Sequence, residues 1–296
     1  MAKVSILMNA YNAQKYLVEA IESVYAQTFK DWEIVFVDNC STDDTKKIVE
    51  SYDDKIKYCK TDKNIPLGAA RNFGLRYCKG EYIAFLDTDD IWLEDKLRVQ
   101  IDIMDQHPEY RLCYGGVIYI DKDGEETAKS IPEAFSGNVF AQQLKKYEIN
   151  MQSVLMRNND DIKIDENLRH SPDFDLFMKL ASRNKFYVVK DYLVKYRRLE
   201  NSLTSKNIDV WWSEMKHTLD QIFQDPALKE QYQKEYAYAY AKVSYYKACY
   251  LMSIDKKSDA TDELSTHKFV SYKYFILYIA SLFPKKIWDF VHNYKY

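Results

Sequence analysis

No two of the five cysteines form a C-x-x-C pair and their number is odd. This argues against structural zinc and a disulfide framework, and suits a reducing compartment. No stretch reaches the roughly 18 apolar residues of a membrane-crossing helix. Lys3 and Asn9 bracket only a short strand-like run, with no apolar signal region, so a cytoplasmic protein is expected. The five histidines lie far apart, which speaks against a histidine metal site. Glycine-rich phosphate loops are missing too. No G-x-G-x-x-G follows the first strand and no G-x-x-x-x-G-K-[ST] exists, which argues against dinucleotide dehydrogenases and excludes P-loop hydrolases. A G-x-S-x-G elbow is likewise absent. The formal net charge of -3 is unlike the strongly basic balance of a general nucleic-acid binder, so no nucleic-acid partner is expected.

What is present is a globular chain of 296 residues, 47% hydrophobic and 29% charged, enough for one large domain or a domain of about 200 residues with an appendage. Residues 4–8, 33–37 and 83–86 are short apolar runs that read as strands buried on both faces. Tyr16, Leu17, Ala20, Ile21 and Val24 mark one face of a helix. A second helix follows Ser41-Thr42-Asp43-Asp44, and a third opens at Gly68 and closes at Gly80. This order predicts an α/β fold with a doubly wound, mostly parallel sheet. Further on, the patterns predict a helix over 93–106, a strand over 112–120 with 151–156 pairing to it, a helix over 173–182, and two strands at 186–189 and 193–196. Beyond about residue 205 the chain reads as helical, over 211–223 and 229–254. The tyrosine spacing in the latter suits helix packing better than a base-stacking platform.

Ligands of such sheets bind at the carboxyl ends of the strands. Here those ends carry Asn9-Ala10-Tyr11-Asn12, Asp38-Asn39 and Asp87-Thr88-Asp89-Asp90. Three carboxylates in four positions repel one another unless a cation sits among them, and carboxylate oxygens suit Mg²⁺ or Mn²⁺ shared with substrate phosphates. The alternative is that Asp89 or Asp90 caps a helix starting near Trp92. With no backbone loop to neutralise a diphosphate, a cation and side chains must do so, which favours reactions with a nucleoside diphosphate leaving group.

The chain resembles the family 2 inverting glycosyltransferases of GT-A fold, of the type that builds bacterial surface or lipid-linked glycans. The resemblance rests on Val4-Ser5-Ile6 through Tyr11-Asn12, Ser23-Val24-Tyr25-Ala26-Gln27-Thr28-Phe29, Val37-Asp38, Ser41-Thr42-Asp43, Gly68-Ala69-Ala70-Arg71-Asn72, and Gly80 through Asp90. Ser171-Pro172-Asp173 and Tyr196-Arg197 extend it to about two-thirds of the chain. It implies a catalytic domain over 1–205 and a helical region over 206–296. It also implies Asp38 at the uracil, and Tyr11, Asn12, Arg71, Asp87, Thr88 and Arg197 around the nucleotide sugar. Asp89, with Asp87, would hold Mn²⁺ or Mg²⁺, and Asp173 would be the general base. The implied donor is a UDP-sugar and the acceptor a glycan or lipid-linked oligosaccharide. The chain departs from the pattern at Met8-Asn9, where a proline is usual, at Asn39, where a second acid is usual, and at Leu199, where a histidine is frequent.

Two rivals remain, a sugar nucleotidylyltransferase and a nucleotide-sugar-binding protein without turnover. Residues 267–296 carry five lysines against Asp289 alone and are rich in aromatics. Such a segment either lies on the inner face of the cell membrane or docks on its own domain or a second subunit. An oligomer therefore stays among the expectations.

Overall fold

The computed structural model of the chain describes residues 1–159, 161–199 and 208–293. Contacts divide it into two units. One comprises Met1–Val139 and Glu148–Glu200, the other Phe140–Tyr147 and Asn201–Tyr296. The boundary expected at 205/206 lies outside the described residues.

In the first unit, β-branched runs become β1 (Val4–Ala10) and β2 (Trp32–Asp38), joined by α1 (Leu17–Tyr25). Of the face read from the sequence, Tyr16 stands just before α1 and is only half-buried, while Leu17, Ala20, Ile21 and Val24 are buried on the helix. These side chains pack on Val4, Ile6, Met8, Ile34 and Phe36, each such burial contributing about 1.5–3 kcal/mol. After α2 (Thr45–Val49) comes β3 (Ile56–Lys60), then α3 (Leu67–Leu75) and β4 (Tyr82–Phe85). On the opposite sheet face α3 comes so close that a Cβ on Gly74 would lie 2.4 Å from Leu7 Cδ1 and 2.6 Å from Val37 Cγ2. β3 escapes a sequence reading because it is a half-exposed strand in which lysines alternate with Ile56 and Tyr58. α3 stops short of Gly80. That glycine instead lets its loop touch the β1 backbone, where Ser5 Oγ accepts the Gly80 and Lys79 amides at 2.8 and 3.0 Å.

The chain continues through β5 (Ile91–Trp92), α4 (Lys96–Gln106), β6 (Tyr110–Ile120), β7 (Glu126–Ser130), α5 (Phe140–Lys145), a 3-10 turn (Met151–Ser153), β8 (Leu155–Arg157), α6 (Pro172–Ala181) and β9 (Lys185–Arg197). The sheet runs β3-β2-β1-β4-β8-β6-β9-β5, with β7 beside β6. Its β3-β2-β1-β4 half is parallel. β8 then enters antiparallel between β4 and β6, so the sheet is mixed, and the expected pairing of 151–156 is made by Leu155 and Met156. The helix expected from 93 begins only at Lys96, because Ile91 and Trp92 pair with Lys195 and Val194. The two strands expected at 186–189 and 193–196 are one continuous strand, β9.

The second unit is helical: α5, α7 (Ile208–Ile222), α8 (Pro226–Gln231), α9 (Gln233–Ser253), α10 (Lys257–His267), α11 (Tyr272–Leu282) and α12 (Lys285–Asn293). The helix expected over 229–254 is broken at Tyr232. α8 starts on its own cap, with Pro226 at its first position and Asp225 Oδ1 accepting the Ala227 amide at 2.9 Å. The regular aromatics serve packing: Tyr232 meets Phe140 edge-on at 5.0 Å and Tyr236 meets Phe223 at 4.9 Å.

Candidate active site

The carboxyl ends of β1 and β2 are laced together by side chains. Asn12, in the left-handed region at φ 51, donates its amide to Ser41 Oγ at 3.0 Å and accepts the Thr42 amide on Oδ1 at 2.8 Å. Gln14 and Asp43 repeat the exchange one step on. Asn12 therefore shapes the rim, while the Tyr11 ring stands more than half exposed at the mouth. Asp38 is fully buried. Its Oδ1 accepts the Ser41 amide at 2.7 Å and its Oδ2 the Tyr58 hydroxyl at 2.5 Å, so it is the anchor of a turn. Asn39, where an acid was expected, holds the segment entering α3. Its Oδ1 accepts Ile65 N–H at 2.9 Å and its Nδ2 donates to Ile65 O at 2.7 Å.

At the end of β4, Asp87 is the hub. Arg71 Nη2 lies 3.0 Å from Asp87 Oδ1. Gln152, on the 3-10 turn, donates to Asp87 Oδ2 at 2.6 Å and accepts the Asp87 amide at 2.8 Å. Thr88 is half-buried beside it. Among the described residues the Asp89 carboxyl bonds to no other side chain and accepts only its own amide, and burial together with the Asp87 charge pushes it up to about 6. Asp90 is buried, with Oδ1 on the Arg197 amide at 2.8 Å and Oδ2 without a partner. Burial and the two neighbouring aspartates raise its pKa well above the ordinary carboxylate value. Neither Asp89 nor Asp90 caps α4, whose preceding residue is Asp95.

These carboxylates bear on a divalent cation. Among the described residues no three His, Cys, Asp or Glu side chains form a metal cluster, so a cage made by protein alone is not what the site offers. Asp89, bonded to no other side chain and raised by a like charge, fits a cation that takes its other ligands from substrate phosphates. Asp87 is less free to serve, since each of its oxygens already accepts from Arg71 or Gln152.

Asp173 sits in the first turn of α6, and its carboxyl accepts from the amides of Asp173 and Phe174. Burial raises its pKa above the ordinary range; the Arg71 guanidinium opposes the rise and the Asp87 charge adds to it. The same Asp87 thus acts on Asp89 and Asp173, bringing together residues 86 positions apart. The approach to α6 is fixed by Asn72, which donates to Ile164 O at 2.8 Å and accepts Ile164 N–H at 3.0 Å. Gly68 allows the contact, because a Cβ there would stand 3.1 Å from Asp165 O.

Arg197, expected at the nucleotide sugar, has its side chain turned onto protein groups. Its side chain is buried, Nε donates to Asp89 O at 3.0 Å, Nη1 to Asp121 O at 3.1 Å, and Nη2 meets Glu19 at 2.5 Å. Its plane also lies over the Tyr16 ring. With its guanidinium spent on protein acceptors, Arg197 clamps the acidic loop from behind. Sequence reasoning missed Gln152. The only trace of it was one amide beside Ser153 in the mostly apolar stretch 151–156, read there as strand.

Residues 5–164 match the model of Glycosyl transferase family 2. An uncharacterized glycosyltransferase of Methanocaldococcus jannaschii is 32% identical over 203 residues, 66% of this chain and 70% of that protein. WfgD of Escherichia coli, described as a UDP-Glc:alpha-D-GlcNAc-diphosphoundecaprenol beta-1,3-glucosyltransferase, is 30% identical over 205 residues, 68% of this chain and 79% of its own length. Three relatives from Rickettsia felis, Rickettsia conorii and Rickettsia bellii are longer, and the chain spans about a third of their length. Among solved structures, residues 1–349 of S. aureus TarS in complex with UDP share the fold at a TM-score of 0.70 and 20% identity, covering 98% of this chain and 86% of that one.

Proposed function

The chain belongs to glycosyl transferase family 2 and is a glycosyltransferase of GT-A fold, and on that premise we propose that it moves a sugar, with inversion, from a UDP-sugar to a hydroxyl of a glycan or lipid-linked oligosaccharide. The observation that carries this reading is the placement of Asp87, which Arg71 and Gln152 hold in position and whose charge reaches both Asp89 and Asp173.

In this reading Asp173 accepts the proton of the acceptor hydroxyl as that oxygen attacks the anomeric carbon, a contribution of typically ~10²–10⁴ in rate. The attack comes from the side opposite the diphosphate. One displacement with one base inverts the centre and needs no sugar–enzyme intermediate. Arg71 and Tyr11 take the nucleoside, and Asp87 and Thr88 line the ribose side. Because Asp38 is closed off by Ser41 and Tyr58, its part is to hold the wall behind the base. Asp89, with Asp87 beside it, would hold Mn²⁺ or Mg²⁺, which when bound supplies charge stabilisation to the departing diphosphate.

Similarity to WfgD, whose acceptor is a lipid diphosphate, supports a lipid-linked acceptor met at the cytoplasmic face of a membrane. No helix of the described residues is long and apolar enough to cross one. The sugar nucleotidylyltransferase and binding-only readings lose ground to the family match.

A panel of nucleotide sugars assayed for UDP release, with and without chelator, tests the proposal. Release from one UDP-sugar that stops in chelator and returns with Mn²⁺ is expected. No release from any donor would end the transferase reading, and release unaffected by chelator would end the metal assignment to Asp89.

A further inference from the structure

Within the helical unit, α11 is apolar on two opposite faces. Tyr274, Leu277 and Ala280 point inward and pack with Ala241, Ala248 and Met252 of α9 and with Leu264 of α10. The segment therefore docks on its own unit, as one of the two expectations for 267–296 required, but docking uses only half of it. Tyr272, Phe275, Ile279 and Leu282 stay 74%, 42%, 37% and 50% exposed. Their spacing places them within roughly 80° of arc, at about 100° per residue. Phe269 before the helix and Phe283 after it extend the same exposed stripe. Monomeric proteins rarely leave so continuous an apolar strip in water.

We infer that this outer stripe of α11, with its flanking lysines, is a docking surface for an anionic lipid bilayer. The charge pattern selects this occupant. From residue 268 to 288 there is no Asp or Glu. Lys285 is held by Asp255 at 3.1 Å and Lys273 lies toward the Tyr245 ring of α9, which leaves Lys268 and Lys286 to flank the stripe. In a two-fold dimer the same patch meets itself, so these lysines would face one another with no acid in the patch to answer them. Anionic headgroups answer them all. The Lys268 ammonium lies over the Phe269 and Tyr278 rings, 5.3 and 4.5 Å from their centroids, which sets a positive charge beside the stripe. At 1.5 Å per residue the 11-residue helix is about 16 Å long. That is too short to cross a hydrocarbon core of about 30 Å but long enough to lie in its interface. This inference is independent of the sugar-transfer reading. Taken together, the two put the acceptor's lipid anchor and the enzyme on one surface.

The test is flotation of the full chain with vesicles of phosphatidylglycerol and phosphatidylcholine, against vesicles of phosphatidylcholine alone. Recovery with the anionic vesicles that falls as salt is raised is expected. Replacing Lys268 and Lys286 by Gln should weaken the partition coefficient roughly fivefold per lysine. Phe269→Ser with Leu282→Ser, both on exposed positions, should weaken it further while the circular dichroism spectrum stays unchanged. Equal recovery with both vesicle types, or binding indifferent to both sets of substitutions, would overturn the inference. So would a wild-type dimer in solution that the Phe269→Ser, Leu282→Ser protein no longer forms, since the second copy would then own the surface. UDP release in detergent-free buffer, unchanged by these substitutions, separates loss of docking from loss of the active site.

Discussion

Gln152 holds Asp87 at two points, through a 2.6 Å bond from its Nε2 to the carboxylate and a 2.8 Å bond from the Asp87 amide to its Oε1. The side chain and the backbone of the first acid of the loop are thereby fixed together. The carboxylate cannot rotate without breaking one of these bonds or the Arg71 ion pair. The turn that carries Gln152 is itself held, because Trp92 Nε1 donates to Gln152 O at 3.1 Å. A site that must order a charged diphosphate gains from acids fixed in advance.

Gln152→Leu should keep the fold and lower UDP release by about 10–100-fold, the range seen when a group that orients a site carboxylate is lost. Near-wild-type activity in this variant would mean Asp87 needs no such support.

Asp173→Asn should leave donor binding by calorimetry unchanged and cut transfer by ~10²–10⁴. Burial raises the Asp173 carboxyl above its ordinary range. The base is lost to protonation as pH falls, so the acidic limb of the rate profile should lie above the usual carboxylate pKa. A limb at or below that value, or an Asn variant that still transfers, would remove Asp173 from the base role.

Lys96 gives a pH dependence of stability. Its ammonium is buried on α4, bonded to Gln100 Oε1 at 2.7 Å and set 4.0 Å from the Trp92 ring, with no carboxylate among its hydrogen-bond partners. Burial pushes its pKa from 10.5 down to about 7. Between those values the unfolded chain holds the extra proton. This group therefore makes the native state more stable as pH rises from about 7 to about 10, and penalises it most below 7. Lys96→Met removes the penalty. Melting temperature should rise by at least about 2–4 °C at pH 6, and the gain should shrink towards pH 10. A gain that is the same at both pH values would contradict the origin assigned to it.

Gly80→Ala tests the close approach to β1. A Cβ there would lie 2.6 Å from Ser5 N and 2.9 Å from Val4 C, both backbone atoms of a buried central strand that cannot yield. A loss of about 1–3 kcal/mol in urea unfolding is expected. A neutral result would show the 79–80 loop free to move off the strand.

In the parallel half of the sheet β1, β2 and β4 were legible because they are buried on both faces, whereas half-exposed β3 was not. The boundaries that slipped have local causes. Asp191 and Tyr192 look like a break between two strands, yet both continue β9. Ile91-Trp92 resembles a helix start and is a two-residue strand completed by Val194 and Lys195. Among the site residues, Asp87 and Asp89 stood out through residue type and position at a strand end, and Arg71 and Asp173 only through the family resemblance. Gln152 did not, because a neutral amide carries no charge pattern that distinguishes it from any other polar residue.

The chain by itself determined the alternation of strands and helices, the gathering of acids beyond β4, and the acid-free basic stretch from 268 to 288, since period and charge are properties of order along the backbone. Only the tertiary structure decided which of those groups face one another. It turned Arg197 inward onto Asp121 and Glu19, closed Asp38 behind Tyr58, and left one face of α11 uncovered. Hydrogen-bond satisfaction and burial depend on partners brought from distant positions, and no local pattern records which partner will arrive.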